Sequence, residues 1–128
     1  IKSLGIKNKI RKYIRFITDK ERELFFKACD IMVLPYEDVY QSGVLLMGMS
    51  YGKAMIVSDL NSFKEVIKNN KNGLIFKSLD SKDLAEKLNL LISDNKKLEQ
   101  IQQGAINSIN NEFSWMNIAK KYKETFNL

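Results

Sequence analysis

The chain contains two short, almost wholly apolar runs, IMVLPY at residues 31–36 and AMIVS at residues 54–58. Both contain β-branched residues and are short for a buried helix, which favours strands. A strand without polar alternation is typical of a parallel sheet that helices cover on both faces, because neither face then meets water. These runs therefore predict two central strands of such a sheet.

Two further runs, residues 13–17 and 73–77, also have the composition of strands, and amphipathic stretches separate the four. This alternation is the pattern of repeated β-α units. We therefore predict an α/β fold, with a Rossmann-like parallel sheet of about four strands and flanking helices, as one domain over residues 1–128. Helices are expected over residues 19–29, 42–51, 62–68, 81–93, 95–110 and 114–126.

The residue types that are missing exclude several kinds of chemistry. Cys29 is the only cysteine, and the sequence has no histidine. An internal disulfide, a Ser-His-Asp triad and the usual histidine-based metal sites are therefore excluded, and a cysteine-based zinc site is disfavoured. We expect no metal, and a reducing compartment such as the cytoplasm. No stretch approaches the roughly 20 consecutive apolar residues of a membrane-spanning helix.

The formal net charge is +6, from 21 basic and 15 acidic residues. Most of the basic residues are lysines scattered between acidic ones, whereas a nucleic-acid-binding protein concentrates basic residues on one element. We therefore expect no nucleic-acid partner. The local basic run at residues 7–15 leaves open one alternative, a basic α/β domain that binds polyanions. Alternatively, residues 7–15 are simply a solvated loop and helix end.

A polar loop followed by Ser42-Gly43 is the strongest functional signal. The loop, residues 37–41, follows a buried strand, and Ser42-Gly43 begins a predicted helix. The first turn of a helix has unpaired N–H groups and positive partial charge, and small residues let a phosphate come close. The amides of Ser42, Gly43 and Val44, assisted by the Ser42 hydroxyl and Gln41, form a candidate diphosphate cradle. Alternatively, Ser42 is only an N-cap and Gly43 only allows tight packing.

Six motifs follow one another in an order that resembles a known enzyme family. They are VLPY at 33–36, QSGVLL at 41–46, MSYGKAMIVSD at 49–59, FKEVI at 63–67, NGLIF at 72–76 and FSW at 113–115. The series resembles the C-terminal, donor-nucleotide-binding domain of the GT-B glycosyltransferases of the family-4 type, the group-1 transferases. The resemblance covers residues 6–126.

This resemblance implies roles for particular residues. The amides of Ser42, Gly43 and Val44 would hold the diphosphate of a nucleotide sugar, and Glu65 would sit where these enzymes carry a glutamate. The other interpretation of Glu65 is an exposed carboxylate that stabilises a helix. The residues here would be the later half of the donor domain. Its first strands and an N-terminal acceptor-binding domain would lie upstream.

The resemblance also implies an activity for the parent protein. It would be a retaining hexosyltransferase that moves a hexose from a nucleotide sugar to a saccharide or lipid-linked acceptor, without a cofactor, in bacterial polysaccharide biosynthesis. We expect it in the cytoplasm or at the inner face of the membrane, with peripheral membrane contact left open. Because GT-B catalysis takes place in a cleft between two domains, we expect these residues alone to be inactive.

Two positions depart from the family pattern. The family carries two glutamates eight positions apart, one near the transferred sugar and one on the ribose. Aligned on Gly52, these positions are Val39 and Met47 here. Glu37 and Asp38, one or two residues earlier, are the candidates for the first carboxylate and for a catalytic group. The departures leave open a second alternative, a non-catalytic GT-B-like interaction module.

Overall fold

The structure, a computed structural model, describes residues 5–126. Residues 1–4 and 127–128, which belong to the predicted domain, lie outside the described residues. Three parallel strands form a sheet in the order β1 (Ile31–Leu34), β2 (Ala54–Ser58), β3 (Leu74–Phe76). Val33 lies opposite Ile56, which lies opposite Leu74. The predicted α/β class and parallel sheet are therefore confirmed, and β2 has the predicted bounds.

The described part of the chain also contains six α-helices. They are α1 (Asp19–Ala28), α2 (Gly43–Ser50), α3 (Asn61–Val66), α4 (Ser81–Ser93), α5 (Asn95–Asn111) and α6 (Trp115–Phe126). Each lies within a few residues of its predicted position. Gly52 follows α2 with φ 67°, the left-handed conformation that ends many helices. Asp80, rather than the predicted Ser81, caps α4, because its carboxylate accepts from the amides of Lys82 and Asp83.

Both faces of β2 are buried, as its apolar sequence predicts. Successive side chains of a strand point to opposite faces, so Met55 and Val57 enter one core cluster and Ala54 and Ile56 enter another. The first cluster packs against α2 and α3, and the second against α4. Helix α5 contributes to both. The sheet is therefore covered on its two sides, and the carboxyl ends of its strands point toward the loops at one edge.

The predicted first strand, residues 13–17, is wrong: this segment is not a strand. Ile14 is 90% exposed and Phe16 is 84% exposed, and β1 pairs only with β2 among the described residues. A strand needs a neighbour to accept and donate its backbone hydrogen bonds, and none lies beside this segment. A short apolar run shows that a segment can form a strand, but the pairing depends on distant residues.

The outer side of β1 is apolar and open. The pattern of α1 predicted Leu24, Phe25 and Ala28 as its buried residues, but Phe26 is the buried one, stacked on Tyr51 with ring centroids 5.2 Å apart. Leu24 is 66% exposed. An apolar pocket of about 460 Å³, lined by residues that include Phe25, Val33 and Val44, lies beside β1. The sequence of α2 is apolar around most of its circumference, which predicts a helix enclosed on several sides. Val44 and Leu46 are nevertheless exposed, so α2 is less enclosed than predicted.

No helix within residues 5–126 combines the length and the hydrophobicity that crossing a membrane requires.

Candidate functional site

The N-terminus of α2 presents unpaired backbone donors. Ser42 is the N-cap, and its hydroxyl oxygen accepts from the amide of Leu45 at 3.3 Å. Among the described residues, the amides of Ser42, Gly43 and Val44 have no hydrogen-bond acceptor. Gly43 is exposed, and a Cβ added there would meet no atom within 4 Å. The positive end of α2 therefore faces open space with three donors available.

A pocket of about 310 Å³ lies between the start of α2 and α3. It brings together Gln41, Ser42, Gly43 and Glu65, which are four of the residues predicted for the site. Ser42 to Gly43 come from the turn into α2, and Glu65 comes from α3. The cradle residues and Glu65 are thus neighbours in space, although they belong to different helices.

Six further residues line this pocket that the sequence did not mark as site residues; Leu45, Leu46 and Val66 are aliphatic, and the others are Tyr40, Ser62 and Phe113. Phe113 lies in the connection between α5 and α6, and its signal in the sequence is the FSW motif. Tyr40 is 92% exposed at the rim. No periodicity marks Tyr40 in its loop or Ser62 in the first turn of α3, because these side chains acquire their neighbours only through the tertiary fold.

Other predicted residues lie outside this pocket. Val44 contributes only its amide to the cradle, and its side chain lines the apolar pocket beside β1. Met47 is half-buried on α2. Glu37 lines a separate pocket of about 210 Å³ together with Phe76 and Asp80, and Asp38 is exposed. The two carboxylates proposed to replace the missing glutamate are therefore not grouped with the cradle in this pocket.

The charge of the pocket comes from its backbone. No lysine or arginine lines it, and Glu65 is its one ionisable carboxylate among the described residues. The same part of the chain contains no group of three or more Asp, Glu, Cys or His side chains that could hold a metal ion. Within this pocket, an anion is therefore attracted by the amide donors and the dipole of α2.

Residues 8–15 of the basic segment do not line this pocket. They are exposed, and the last of them, Arg15, donates to the carboxylate of Glu21 at 3.0 Å. That bond, with hydrogen bonds from Thr18, lowers the pKa of Glu21 to about 2. Thr18 and Glu21 form the capping box of α1. The Arg15 side chain thus attaches the segment before α1 to the first turn of that helix.

The chain matches the family model described as Glycosyl transferases group 1 over residues 1–108. It is 44% identical, over 69 residues, to N,N'-diacetylbacillosaminyl-diphospho-undecaprenol alpha-1,3-N-acetylgalactosaminyltransferase of Campylobacter jejuni. That match covers 53% of this chain and 18% of the relative.

Two solved structures share the fold. The C-terminal domain of a group 1 glycosyl transferase (LpcC) from Francisella tularensis aligns with a TM-score of 0.81 at 24% identity, over 89% of this chain and 58% of that one. Anabaena Alr3699/HepE, in complex with UDP, aligns with a TM-score of 0.85 at 23% identity, over 98% and 34%. The chain thus spans less than two thirds of each of these proteins. Because the family match covers most of its residues, the chain belongs to the group 1 glycosyl transferases, with the fold of a GT-B C-terminal domain.

Proposed function

We propose that this chain is the donor-binding part of a retaining glycosyltransferase. The parent enzyme transfers a hexose from a nucleoside diphosphate sugar to a saccharide or lipid-linked acceptor. The observation that carries the proposal is the row of three unpaired amides at Ser42, Gly43 and Val44, open to a pocket at the start of α2. The Anabaena protein with the same fold forms complexes with UDP and with UDP-glucose, which supports a nucleotide sugar as the ligand.

The cradle acts on the leaving group. When the sugar departs, negative charge grows on the diphosphate, and fixed donors stabilise that charge without reorganising. The Ser42 hydroxyl oxygen already accepts from Leu45, so its hydrogen is available to donate to a phosphate oxygen. Gln41 adds a side-chain amide at the pocket wall. The donor is a substrate, and the proposal includes no cofactor.

The parent protein extends beyond these residues in this proposal. Earlier strands of the same domain pair with the open edge of β1 and fill the apolar pocket beside it. The match to only 58% of a solved C-terminal domain supports this. An N-terminal domain binds the acceptor and forms the second wall of the cleft. The isolated residues are then inactive, because positioning across the cleft is missing.

We propose a lipid-linked acceptor and a location at the membrane on the following grounds. The name of the Campylobacter relative contains an undecaprenol-linked diphosphate, which supports a lipid-linked acceptor. An enzyme with such an acceptor would work in the cytoplasm, in peripheral contact with the inner face of the membrane. Synthesis of bacterial surface polysaccharide or glycoconjugate is the proposed setting.

A second candidate function is a non-catalytic module of the same fold. Val39 packs against the core cluster, and Met47 is half-buried. Neither side chain can accept a hydrogen bond from a sugar or ribose hydroxyl as a glutamate would. A protein that had lost donor binding could keep the fold and serve as an interaction partner.

A titration of the complete protein with UDP, followed by backbone amide NMR, separates the two functions. For a donor-binding domain, we expect the amide signals of residues 41–45 to shift most, because these donors meet the diphosphate. The signals of residues 95–100, at the start of α5, serve as the internal control. Cradle signals that stay in place at millimolar UDP, with GDP and ADP equally inert, would support the non-catalytic module.

A further inference from the structure

Two serine hydroxyls form hydrogen bonds to the backbone of the loop at residues 36–41, which leads into the cradle. Ser58, the last residue of β2, donates to the carbonyl of Tyr36 at 2.7 Å. Ser62, the second residue of α3, donates to the carbonyl of Val39 at 2.7 Å. Among the described residues, no other hydrogen bond to the backbone of residues 36–41 is found. The path of this loop therefore depends on two side chains from the neighbouring strand and helix.

Packing reinforces the same attachment. The ring of Tyr36 lies 5.8 Å from the ring of Phe63, and Val39 packs against the cluster that contains Phe63. Phe63 is 1% exposed and follows Ser62 directly in α3. The start of α3 thus fixes the loop by a hydrogen bond and by apolar contact at neighbouring positions. Val39 is three residues from Ser42, so this attachment is the one nearest to the cradle.

We propose that Ser62 is a positioning residue for donor binding, acting through the Val39 carbonyl on the amides of Ser42, Gly43 and Val44. The inference rests on the proposed function, because it concerns the same diphosphate cradle. Preorganised donors bind an anion more tightly than donors that must first be ordered. Without the Ser62 hydroxyl, the loop is held through Ser58 at its far end. The cradle amides then sample positions that do not all face the diphosphate.

The test compares nucleotide affinity with stability in the complete protein. Dissociation constants for UDP, GDP and ADP are measured by calorimetry for the wild type, and the tightest binder is used with the variants. Ser62→Ala is expected to weaken binding by about three- to tenfold, the range of a typical lost hydrogen bond. Ser62→Thr keeps the hydroxyl and is expected to restore affinity to within about twofold of the wild type. Thermal unfolding midpoints are recorded for each protein.

The matched control is Ser93→Ala. The Ser93 hydroxyl also donates to a backbone carbonyl at 2.7 Å, that of Asn89, but within α4 and outside the pocket. We expect it to leave nucleotide affinity unchanged. Ser62→Cys, which keeps nearly the same size but donates only weakly through its thiol, gives a second measurement of the same attachment, should Ser62→Ala fail to fold.

Each outcome decides a separate point. Weaker binding in Ser62→Ala, with recovery in Ser62→Thr and no matching effect in Ser93→Ala, supports the positioning role. Unchanged affinity in Ser62→Ala, or Ser62→Thr that behaves like Ser62→Ala, overturns it while leaving the proposed function in place. If Ser62→Ala does not fold and Ser62→Cys binds as tightly as the wild type, the role is overturned as well. A wild type that binds none of the three nucleotides overturns the proposed function and this inference together.

Discussion

Leu79 holds a backbone conformation that leucine rarely adopts. Its φ is 64°, in the left-handed region, and its side chain is 83% exposed in the turn between β3 and α4. A Cβ in this region comes too close to the following carbonyl oxygen, at a cost of about 1–2 kcal/mol. Because the Leu79 side chain is exposed, it gains little stabilisation from burial that could offset this cost.

Replacing Leu79 by glycine should therefore stabilise the fold. We expect Leu79→Gly to raise the free energy of unfolding by about 0.5–1 kcal/mol, since relief of strain exceeds the added entropy of glycine in the unfolded chain. Urea denaturation measures the change. Asn70→Gly is the matched control, because Asn70 has the same φ of 64° and asparagine tolerates it, so its effect should be smaller. A lower free energy of unfolding for Leu79→Gly than for the wild type would contradict the inferred backbone strain at Leu79.

Single residues also show which local features the sequence encodes. The Thr18 and Glu21 capping box has the Thr-x-x-Glu spacing that marks a helix start in a sequence, and Gly52 follows a predicted helix directly, where a left-handed glycine is common. The strained Leu79 was not predictable, because the turn is imposed by the strand and helix that it joins. Leucine disfavours a positive φ, so no sequence preference at this position could have predicted the turn conformation of Leu79.

At the scale of elements, α5 packs unusually closely on the turn between α3 and β3. A Cβ added to Gly104 would lie 2.0 Å from the carbonyl oxygen of Lys71. Asn72, 2% exposed in that turn, donates to the Ser108 hydroxyl of α5 at 2.9 Å and to the Val66 carbonyl at 3.1 Å. Helix α5 therefore holds the turn through both backbone contact and a buried hydrogen-bond network.

Gly104→Ala tests this close approach. The added methyl group must displace backbone atoms, so we expect the free energy of unfolding to fall by about 2 kcal/mol or more, although alanine favours a helix. Chemical denaturation gives the value. Lys96→Ala, at an exposed position in the same helix, controls for helix propensity and should cost little. Equal stability of Gly104→Ala and the wild type would show that α5 is not in contact with the turn.

The elements show where sequence patterns fail. Strand β2 was predicted with its observed bounds because a run buried on both faces is apolar throughout. Residues 13–17 have a similar composition but are not a strand, since pairing needs a neighbour that the segment itself cannot supply. Leu24 and Phe25 were assigned to a buried face, yet both are exposed beside the open side of β1.

At the scale of the whole molecule, the candidate site forms where three parts of the chain meet. The first turn of α2 supplies the donors, α3 supplies Glu65 and Ser62, and the connection after α5 supplies Phe113. The donors were predictable, because unpaired amides are a local property of any helix start. The placement of Ser62, Phe113 and Glu37 required the tertiary fold.

The central claim is that the amides at the start of α2 bind the diphosphate of the donor. Its most direct test is the dissociation constant for UDP of the complete protein, measured by calorimetry for the wild type, Gly43→Asp and Gly43→Asn. Because a Cβ at Gly43 meets no atom within 4 Å, both variants should fold, which thermal unfolding verifies. Asparagine adds almost the same volume without the charge, and Asn89→Asp, on an exposed part of α4, adds the same charge outside the pocket.

We expect Gly43→Asp to weaken UDP binding by about a hundredfold or more, because the carboxylate stands against the phosphates and like charges in contact cost several kcal/mol. Gly43→Asn should lose much less affinity for UDP, and Asn89→Asp should bind UDP as tightly as the wild type does. UDP binding in Gly43→Asp with wild-type affinity would contradict the claim.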